Sequence, residues 1–254
     1  MTRPSFIPAA TIAAAILLLA ITVDSSRWEA LAQARQFFLT AIINTFYFSL
    51  AGASIGLIGG SLLASCRLVG GWPGTLAGAL VMLVQALPPL LIILGCYFAL
   101  PELLGLTVTP ELAAVIALGS ISSTYYCEAV RGAVAGVDPL QWDAAITTGL
   151  SRRASILKVI LPQALPAAVP AIGTTSIVVY KLSTLLYPLG IQDFFRAAVL
   201  VNNHVIDPVL IYSLVTLFYY TTCKALTAAI SQLSAAYVAK SAGQPSQTAP
   251  LTGV

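Results

Sequence analysis

The architecture of this chain depends on a polar stretch, Asp143-Ala144-Ala145-Ile146-Thr147-Thr148-Gly149, and on Val159-Ile160-Leu161-Pro162 ten residues further along. The stretch is rich in residues compatible with a helix, and strongly apolar segments flank it on both sides. A polar insert of this kind has to leave the bilayer on one face, where a soluble partner can reach it. Because the chain has no catalytic constellation of its own, the pattern favours a membrane machine that is driven from outside.

The composition places the chain in a membrane. Of its 254 residues, 58% are hydrophobic and only 8% are charged, and the mean hydropathy is +0.92. Soluble domains carry about 25% charged residues, so a soluble fold of this chain would expose much apolar surface to water. Long continuous apolar runs, rather than alternating strands, indicate membrane helices.

We expect an all-α polytopic membrane protein in which one N-terminal span precedes a five-helix core, residues 40–238. The six spans cover roughly residues 7–23, 40–65, 75–100, 111–134, 164–189 and 208–238. Small residues at Gly52, Gly56 and Gly60 predict tight packing of the second span. Pro88-Pro89 predicts a kink in the third span, which either marks the transport pathway or serves packing alone.

The two ends of the chain lie outside this core. The first span is short and follows Arg3, but Leu18-Leu19-Ala20 does not fit a signal-peptidase site, so we favour an uncleaved anchor. The rest of the N-terminal unit 1–39 is an interfacial helix over residues 24–39 on the external side. Residues 239–254 form a polar cytoplasmic tail that we expect to be disordered.

The basic residues predict the orientation, because cytoplasmic loops carry an excess of Lys and Arg. With the N-terminus inside, seven basic residues lie at the cytoplasmic face and three outside, while two fall within spans. The cytoplasmic seven are Arg3, Arg67, Arg131, Arg152, Arg153, Lys158 and Lys240, the external three are Arg27, Arg35 and Arg196, and Lys181 and Lys224 lie within spans. The polar insert then becomes the longest cytoplasmic connection, residues 135–163.

Several classes of chemistry are not supported by the residues. The four cysteines show no CxxC spacing and read as free buried thiols, and His204 is the only histidine, so no metal site is expected. The chain lacks a phosphate-binding loop of the type G-x-x-x-x-G-K-[ST], so it does not hydrolyse ATP itself and binds no cofactor of its own. The net charge of +3 and the absence of a basic run give no indication of nucleic-acid binding.

The cytoplasmic insert is predicted to fold as two short helices. Asp138 is a suitable cap and Pro139 a suitable first residue for a helix that Gly149 ends. Ser151 starts a second helix, and Pro162 is expected to break it before the next span. Ala144 and Ala145 give the first helix a small face that another protein can approach closely, and Asp143 adds one charge.

This insert resembles the EAA loop of ABC-importer permeases, E-A-A-x-x-x-G followed after nine residues by I-x-L-P. The matching positions keep the spacing, with Asp143 in place of Glu and Val159 in place of Ile; they are Asp143, Ala144, Ala145, Gly149, Leu161 and Pro162. The neighbouring stretches narrow the resemblance to permeases for polar amino acids, over roughly residues 40–235. These stretches are Asn44-Thr45, Arg67-Leu68, 128–132, 141–145, 149–151, 159–165 and 181–185.

The resemblance implies the permease subunit of an importer in the bacterial cytoplasmic (inner) membrane. Its partners would be ABC ATPase subunits at the EAA-like loop, a second permease that is identical or related, membrane lipid, and a periplasmic or lipid-anchored binding protein. ATP and Mg would be bound by the ATPase. The solute would be a polar amino acid or a derivative; Leu182 stands where this group usually has an acidic residue, so the substrate is not named.

Polar side chains inside the spans are candidates for function, because they are costly in a bilayer. Glu128 and Arg131 share a helix face and either position the loop as an ion pair or belong to the pathway. Lys181 either lines the pathway, pairs with a partner subunit or snorkels to the interface. The hydroxyl side chains either line the pathway or hold helices together; the candidates are Ser122, Ser123, Tyr126, Ser183 and Thr184.

One alternative to the importer is a secondary transporter or channel for a small polar solute that works without an ATPase. That class often has internal repeats with broken helices, and we find no such repeat in the sequence. A membrane enzyme would need acidic residues or histidines that converge near one interface, and the chain offers too few of them.

Overall fold

The computed structural model describes residues 29, 31–105 and 107–242, and within these ranges all regular structure is helical. The helices are α1 Arg35–Val69, α2 Gly71–Ala86, α3 Pro89–Leu104, α4 Pro110–Ala135, α5 Pro139–Thr147, α6 Arg152–Leu189, α7 Phe194–Val205 and α8 Pro208–Ala242. The all-α prediction is confirmed. The predicted first span, residues 24–28 and 30 of the predicted interfacial helix, and the tail beyond residue 242 lie outside the described residues. Residues 35–39, which were predicted to belong to that interfacial helix, are instead the first residues of α1.

Three described helices, α1, α6 and α8, are long and apolar enough to cross a membrane, and α2 with α3 makes a fourth if the bent pair is one span. The predicted fourth span, 111–134, coincides with α4 at Pro110–Ala135, but α4 is not among these candidates. Its hydroxyl-rich middle lowers its hydropathy. Much of α4 is buried by neighbouring helices instead, as Ala113, Leu118, Ser122 and Cys127 show.

The long helix α1 packs directly against α4 through glycines. A Cβ atom built on Gly52 would lie 2.7 Å from Leu118 Cβ, and one on Gly60 would lie 2.6 Å from the backbone oxygen of Ser123. On Gly56 it would overlap the side chain of Ser122. The tight packing predicted for the second span is therefore confirmed.

The kink predicted at Pro88-Pro89 is confirmed and is sharper than a bend within one helix. The chain breaks between α2 and α3, and the two helices meet at 104°. Leu87 is extended, as residues before proline prefer to be, and Pro89 then starts α3 at a position where a missing N–H costs nothing. Two adjacent prolines thus end one helix and begin another.

The break predicted at Pro162, by contrast, was wrong. The helix α6 runs for 38 residues from Arg152, through Pro162, to Leu189. A π-helical turn, Ile156–Ile160, precedes the proline, and the Leu161 N–H donates to the backbone oxygen of Ile156. Pro162 therefore lies in the first turn of the α-helical part, Leu161–Leu182, where its lack of an N–H is tolerated.

The short helix α7 lies between the predicted spans 164–189 and 208–238 and was not predicted from the sequence. Asp193 caps it, since its Oδ1 atom accepts a hydrogen bond of 2.8 Å from the Arg196 N–H. Phe194 and Ala198 turn inward and pack with residues of α1 and α8. The connection is therefore a folded part of the bundle.

Candidate functional site

The helix α5 within the cytoplasmic insert forms as its capping residues predict. Asp138 Oδ1 accepts a hydrogen bond of 2.9 Å from the Leu140 N–H, and Pro139 is the first helical residue. These contacts satisfy backbone donors that every helix start leaves without an intrahelical partner. The helix therefore begins at a defined residue beneath α4.

Gly149 closes α5 with a backbone angle that favours glycine. Its φ is +79°, its N–H donates to the Ile146 oxygen at 2.9 Å, and the next N–H, that of Leu150, donates to the Ala145 oxygen at 3.3 Å. Ser151 then caps α6 by accepting a bond of 3.4 Å from the Ala154 N–H. A single turn at Gly149 thus connects α5 to the long helix α6.

One face of α5 is anchored to the bundle. Trp142 packs against the cluster of Val134, Ile160 and Ala164, which joins α4 to α6, and Ala145 is buried. A side-chain hydrogen bond of 3.3 Å from Gln163 Nε2 to Gln141 Oε1 adds a polar link. The helix α5 is therefore in contact with both α4 and α6.

The other face of α5 is open to solvent in the single chain. Asp143, Ala144 and Gly149 are exposed, and so is Pro162, whereas Leu161 is partly buried. Two apolar side chains join this face, Leu140 at 69% and Ile146 at 60% exposure. The EAA-like pattern did not single them out, although exposed apolar residues beside small ones are typical of a docking surface.

A charge cluster lies where α1 and α4 reach the insert. Glu128 pairs with Arg131, whose Nη2 atom lies 2.7 Å from Glu128 Oε2, and its other carboxylate oxygen pairs with Arg67. The contact with Arg131 follows from their helical spacing, whereas that with Arg67 joins positions 61 apart in sequence and was missed. Whether the cluster positions the loop stays a prediction.

An open trough runs between α4 and α6 toward the insert. It consists of two adjoining hollows of about 660 Å³ and 640 Å³ that share Glu128, Ala129 and Ala171. Tyr125, Thr174 and Thr175 line the hollow farther from the insert. The other hollow reaches Asp138 and Gln163 at the base of the insert.

Four of the hydroxyl candidates lie in helix contacts. Ser122 is fully buried, and its Oγ donates to the Gly52 oxygen across the α1–α4 interface at 2.8 Å. Ser123 is buried beside it and bonds to the Gly119 oxygen at 2.7 Å. Tyr126 shares a bond of 2.8 Å with Ser176 Oγ of α6, and Ser183 is buried.

The remaining candidates lie at the end of α6 that is farther from the insert. Lys181 is exposed in the single chain, and Thr184 Oγ1 donates to its backbone oxygen at 2.9 Å. Within the part of the chain that the structure describes, no ion pair of Lys181 is found. Thr174 and Thr175 were not among the candidates predicted from the sequence, although they are two adjacent hydroxyl residues in an otherwise apolar helix.

Comparison with known proteins identifies the family. Residues 56–238 match the family described as "Binding-protein-dependent transport system inner membrane component". The chain belongs to this family. The match places the protein in a membrane and covers the C-terminal part of α1, the whole of α4, the insert, the trough and most of α8.

Three curated relatives, two from Escherichia coli and one from Bacillus subtilis, match most of this chain. The glutamate/aspartate import permease protein GltK is 28% identical over 179 residues, 67% of this chain and 80% of the relative. The glutamine transport system permease protein GlnP is 29% identical over 194 residues, 76% of this chain and 89% of the relative. The arginine transport system permease protein ArtQ of Bacillus subtilis is 29% identical over 195 residues, 75% of this chain and 88% of the relative.

Solved structures show the same fold. A chain from the crystal structure of an amino acid ABC transporter with histidines superposes with a TM-score of 0.74 at 24% identity, covering 86% of this chain and 99% of that chain. A chain of the MetNI methionine ABC transporter in an inward-facing conformation gives a TM-score of 0.62 at 18% identity, covering 84% of this chain and 99% of that chain.

Proposed function

We propose that this chain is the permease subunit of an ATP-binding-cassette importer that carries a polar amino acid or an amino-acid derivative across the inner membrane. The family supports transport that depends on a binding protein. Relatives named for glutamate, aspartate, glutamine and arginine support the class of solute. The observation that carries the proposal is the solvent-exposed α5–Gly149 turn, rigidly joined to the two helices that form the trough.

ATP and Mg are bound by a separate ATPase, whose contact surface on this chain is the exposed face of α5. Leu140 and Ile146 supply apolar contact, Ala144 allows close approach, and Asp143 supplies one charge. Contacts of this kind combine an apolar centre with a polar rim, as stable interfaces do. When the two ATPases close, they draw the two coupling loops of a permease pair together.

The link from the loop to the solute path runs through α6. This helix starts next to the Gly149 turn and continues for 38 residues, past the trough, to Leu189. Trp142 and Ala145 tie α5 to the same helix pair. A displacement of α5 therefore tilts α6 against α4 and alters the trough between them. The permease then has two conformations, and nucleotide binding to the ATPases shifts the equilibrium between them.

The solute path is the trough between α4 and α6. It is open along one side in the single chain, and a second permease, identical or related, closes that side. Tyr125, Thr174 and Thr175 offer hydroxyl groups to the polar parts of an amino acid. Lys181, exposed toward the outer end of α6, is the cation we assign to the solute carboxylate. A solute-binding protein delivers the solute at the outer face.

Co-purification with the ATPase tests the docking surface. Leu140→Asp puts a charge in the centre of the proposed contact, and we expect it to abolish recovery of the ATPase and ATP-driven uptake. Leu103→Asp is the matched control, because Leu103 is also highly exposed, at 80%, but lies outside the insert. Recovery of the ATPase with Leu140→Asp at the level of Leu103→Asp would refute the proposed surface. Uptake without any ATPase would refute the importer.

A further inference from the structure

A cavity lies between α1, α4 and α6, on a different face of α4 and α6 from the trough. Its volume is about 340 Å³, within the range of small-molecule sites. On α6 this rear cavity is lined by Ala164 and Ala168, whereas Ala167 and Ala171 of the same helix line the trough. Side chains of α1, such as Leu68, form the opposite wall. The rear cavity is therefore distinct from the proposed solute path.

The rear cavity has a buried floor and an exposed apolar rim. Val134, Ala164 and Ala168 are buried at its floor. Leu157, at 65% exposure, and Leu165, at 40%, lie at the rim. Since α6 is long and apolar enough to cross a membrane, this rim faces the hydrocarbon of the bilayer in the single chain. An occupant that enters the cavity from the bilayer needs an apolar part.

One end of the rear cavity carries a cation. Arg153, in the first turn of α6, is the single charged residue among those that line the cavity. Its side chain is exposed, and within the described ranges of the chain it forms no ion pair. Ser61 and Ser65 also line the cavity, but Ser65 Oγ already donates to the Ser61 backbone oxygen at 2.7 Å. The guanidinium is therefore the polar group best placed to bind a ligand, and it favours an anion.

The depth of the rear cavity is close to that of one leaflet of a bilayer. Its wall on α1 extends from Val69 to Ser61, which is ~12 Å along a helix. The hydrocarbon of one leaflet is ~15 Å deep, half of the usual bilayer core. Val69 and Arg153 both lie at the insert end, because Val69 ends α1 beside the charge cluster and Arg153 follows the Gly149 turn. The cation therefore lies at the level of lipid headgroups, and the apolar walls lead away from it.

We propose that the rear cavity binds an anionic phospholipid. The lipid phosphate pairs with Arg153, and one acyl chain lies along Ala164, Ala168 and Ile172. Basic pockets between membrane helices bind anionic headgroups, and apolar cavities stay dry and accept apolar groups. The insert is cytoplasmic under the proposed function, so the lipid comes from the inner leaflet; only this sidedness rests on that proposal. The bound lipid contacts α4 and α6 together and thereby stabilises one spacing of the two helices.

Lipid titration of the purified full-length chain tests the site. Dioleoyl-phosphatidylglycerol and dioleoyl-phosphatidylcholine share their acyl chains and differ in net charge, and native mass spectrometry counts the bound molecules. We expect the anionic lipid to bind roughly fivefold more tightly at the first site, the effect of one basic residue near a membrane surface. Equal affinity for the two lipids would show that the cavity binds acyl chains without regard to charge, and the proposal would be wrong.

Arg153→Gln should remove the preference for the anionic lipid and leave the affinity for phosphatidylcholine unchanged. Arg152→Gln is the matched control, because Arg152 is also exposed in the first turn of α6 but does not line the rear cavity. We expect this control to keep the preference of the wild type. Equal effects of the two substitutions would assign the preference to the general positive charge of this face and would overturn the proposal.

Filling the rear cavity tests the place of the acyl chain. Ala168→Phe puts a ring into the cavity and should lower the affinity for both lipids severalfold, whereas Ala167→Phe adds the same ring on the trough side and should not. Size-exclusion chromatography verifies folding, and the arginine pair decides alone if Ala168→Phe does not fold. Unchanged lipid binding by folded Ala168→Phe would overturn the proposal. Loss of a dimer instead of lipid would assign the cavity to a second copy and overturn it as well. These titrations contain no ATPase, so the outcome of the Leu140→Asp experiment bears on the proposed function alone.

Discussion

The two sides of α4 differ in how closely a neighbour approaches. Along α1 the contact is tight, because Gly52, Gly56 and Gly60 let backbone meet backbone and Ser122 bonds across the interface. Along α6 the helices leave a trough lined by Tyr125, among other residues, that is open to solvent in the single chain. Under the proposed function, α1 and α4 would move as one body, and the solute path and the conformational change would lie on the α6 side of α4.

The two sides of α4 carry similar hydroxyl residues, but these residues serve different purposes. Ser122 and Tyr125 belong to one hydroxyl-rich run of α4. Ser122 is fully buried and serves helix packing, whereas Tyr125 is partly exposed and lines the trough. Hydroxyl groups inside a membrane protein therefore indicate either packing or a pathway, and burial distinguishes the two.

The largest effect is expected when the tight side is forced apart. Gly56→Val adds side-chain atoms where a Cβ alone already overlaps Ser122, so we expect a loss of at least about 3 kcal/mol, the upper end of typical overpacking costs. Thermal unfolding in detergent, followed by size-exclusion chromatography, measures this loss.

Gly132→Ala, on the facing helix α4, is the control for the open side. A Cβ atom at Gly132, which lines the trough, meets nothing within 4 Å. Since alanine is favoured over glycine in a helix by up to about 1 kcal/mol, this variant should be neutral or more stable. If the two substitutions destabilised the protein equally, α4 would not have one tightly packed side and one open side.

A smaller loss is expected at the charge cluster, where the tight pair meets the insert. Glu128→Gln leaves Arg67 and Arg131 without their carboxylate, and loss of charged hydrogen bonds of this partly exposed kind costs about 1–2 kcal/mol. Arg67→Gln and the double variant complete a thermodynamic cycle in the same unfolding assay. Additive losses in that cycle would show that Arg67 and Glu128 do not interact.

The sequence allowed the helical class, the insert and its caps to be predicted, because these depend on local signals. Asp138, Gly149 and Ser151 act within a few residues of their own positions. The partner of Glu128 at Arg67 and the trough residues Thr174 and Thr175 depend on how helices far apart in sequence come together. No local pattern contains that information.

The effect of a proline on its own helix also cannot be predicted from local sequence alone. Pro88-Pro89 and Pro162 were both expected to disturb a helix, yet the first separates two helices by 104° and the second lies in a continuous one. A π-helical turn before Pro162 accommodates the missing donor. Such a turn depends on the packing of Ile156 and Ile160, both buried, which a single-sequence rule for proline does not include.

Removal of one hydroxyl group on each side of α4 distinguishes a role in packing from a role in transport. Both substitutions should have modest effects. Ser122→Ala should lower stability by about 1 kcal/mol, the usual contribution of one hydrogen bond, and leave the KM for uptake unchanged. Thr174→Val keeps the side-chain shape and removes only a solvent-exposed hydrogen bond to the Pro170 oxygen, so it should change stability little and raise KM. Uptake into proteoliposomes with the ATPase and binding protein measures KM. The opposite assignment of the two effects would place the solute on the α1 side.

The smallest effect is a pH dependence of stability that we expect from Asp193, which caps α7 outside the spans. Asp193 is fully buried, and burial raises the pKa of this carboxyl to about 7 from an ordinary 3.8. The folded chain therefore holds a proton that the unfolded chain releases, so stability falls as pH rises from about 4 to about 7 and is level above that. Between pH 5 and 7.5 we expect wild type to lose on the order of 1 kcal/mol, a conservative share of what linkage allows. Asp193→Asn keeps a capping side chain without the titration and should remove this slope, as unfolding midpoints at several pH values would show; an unchanged slope in that variant would assign the pH dependence to another group.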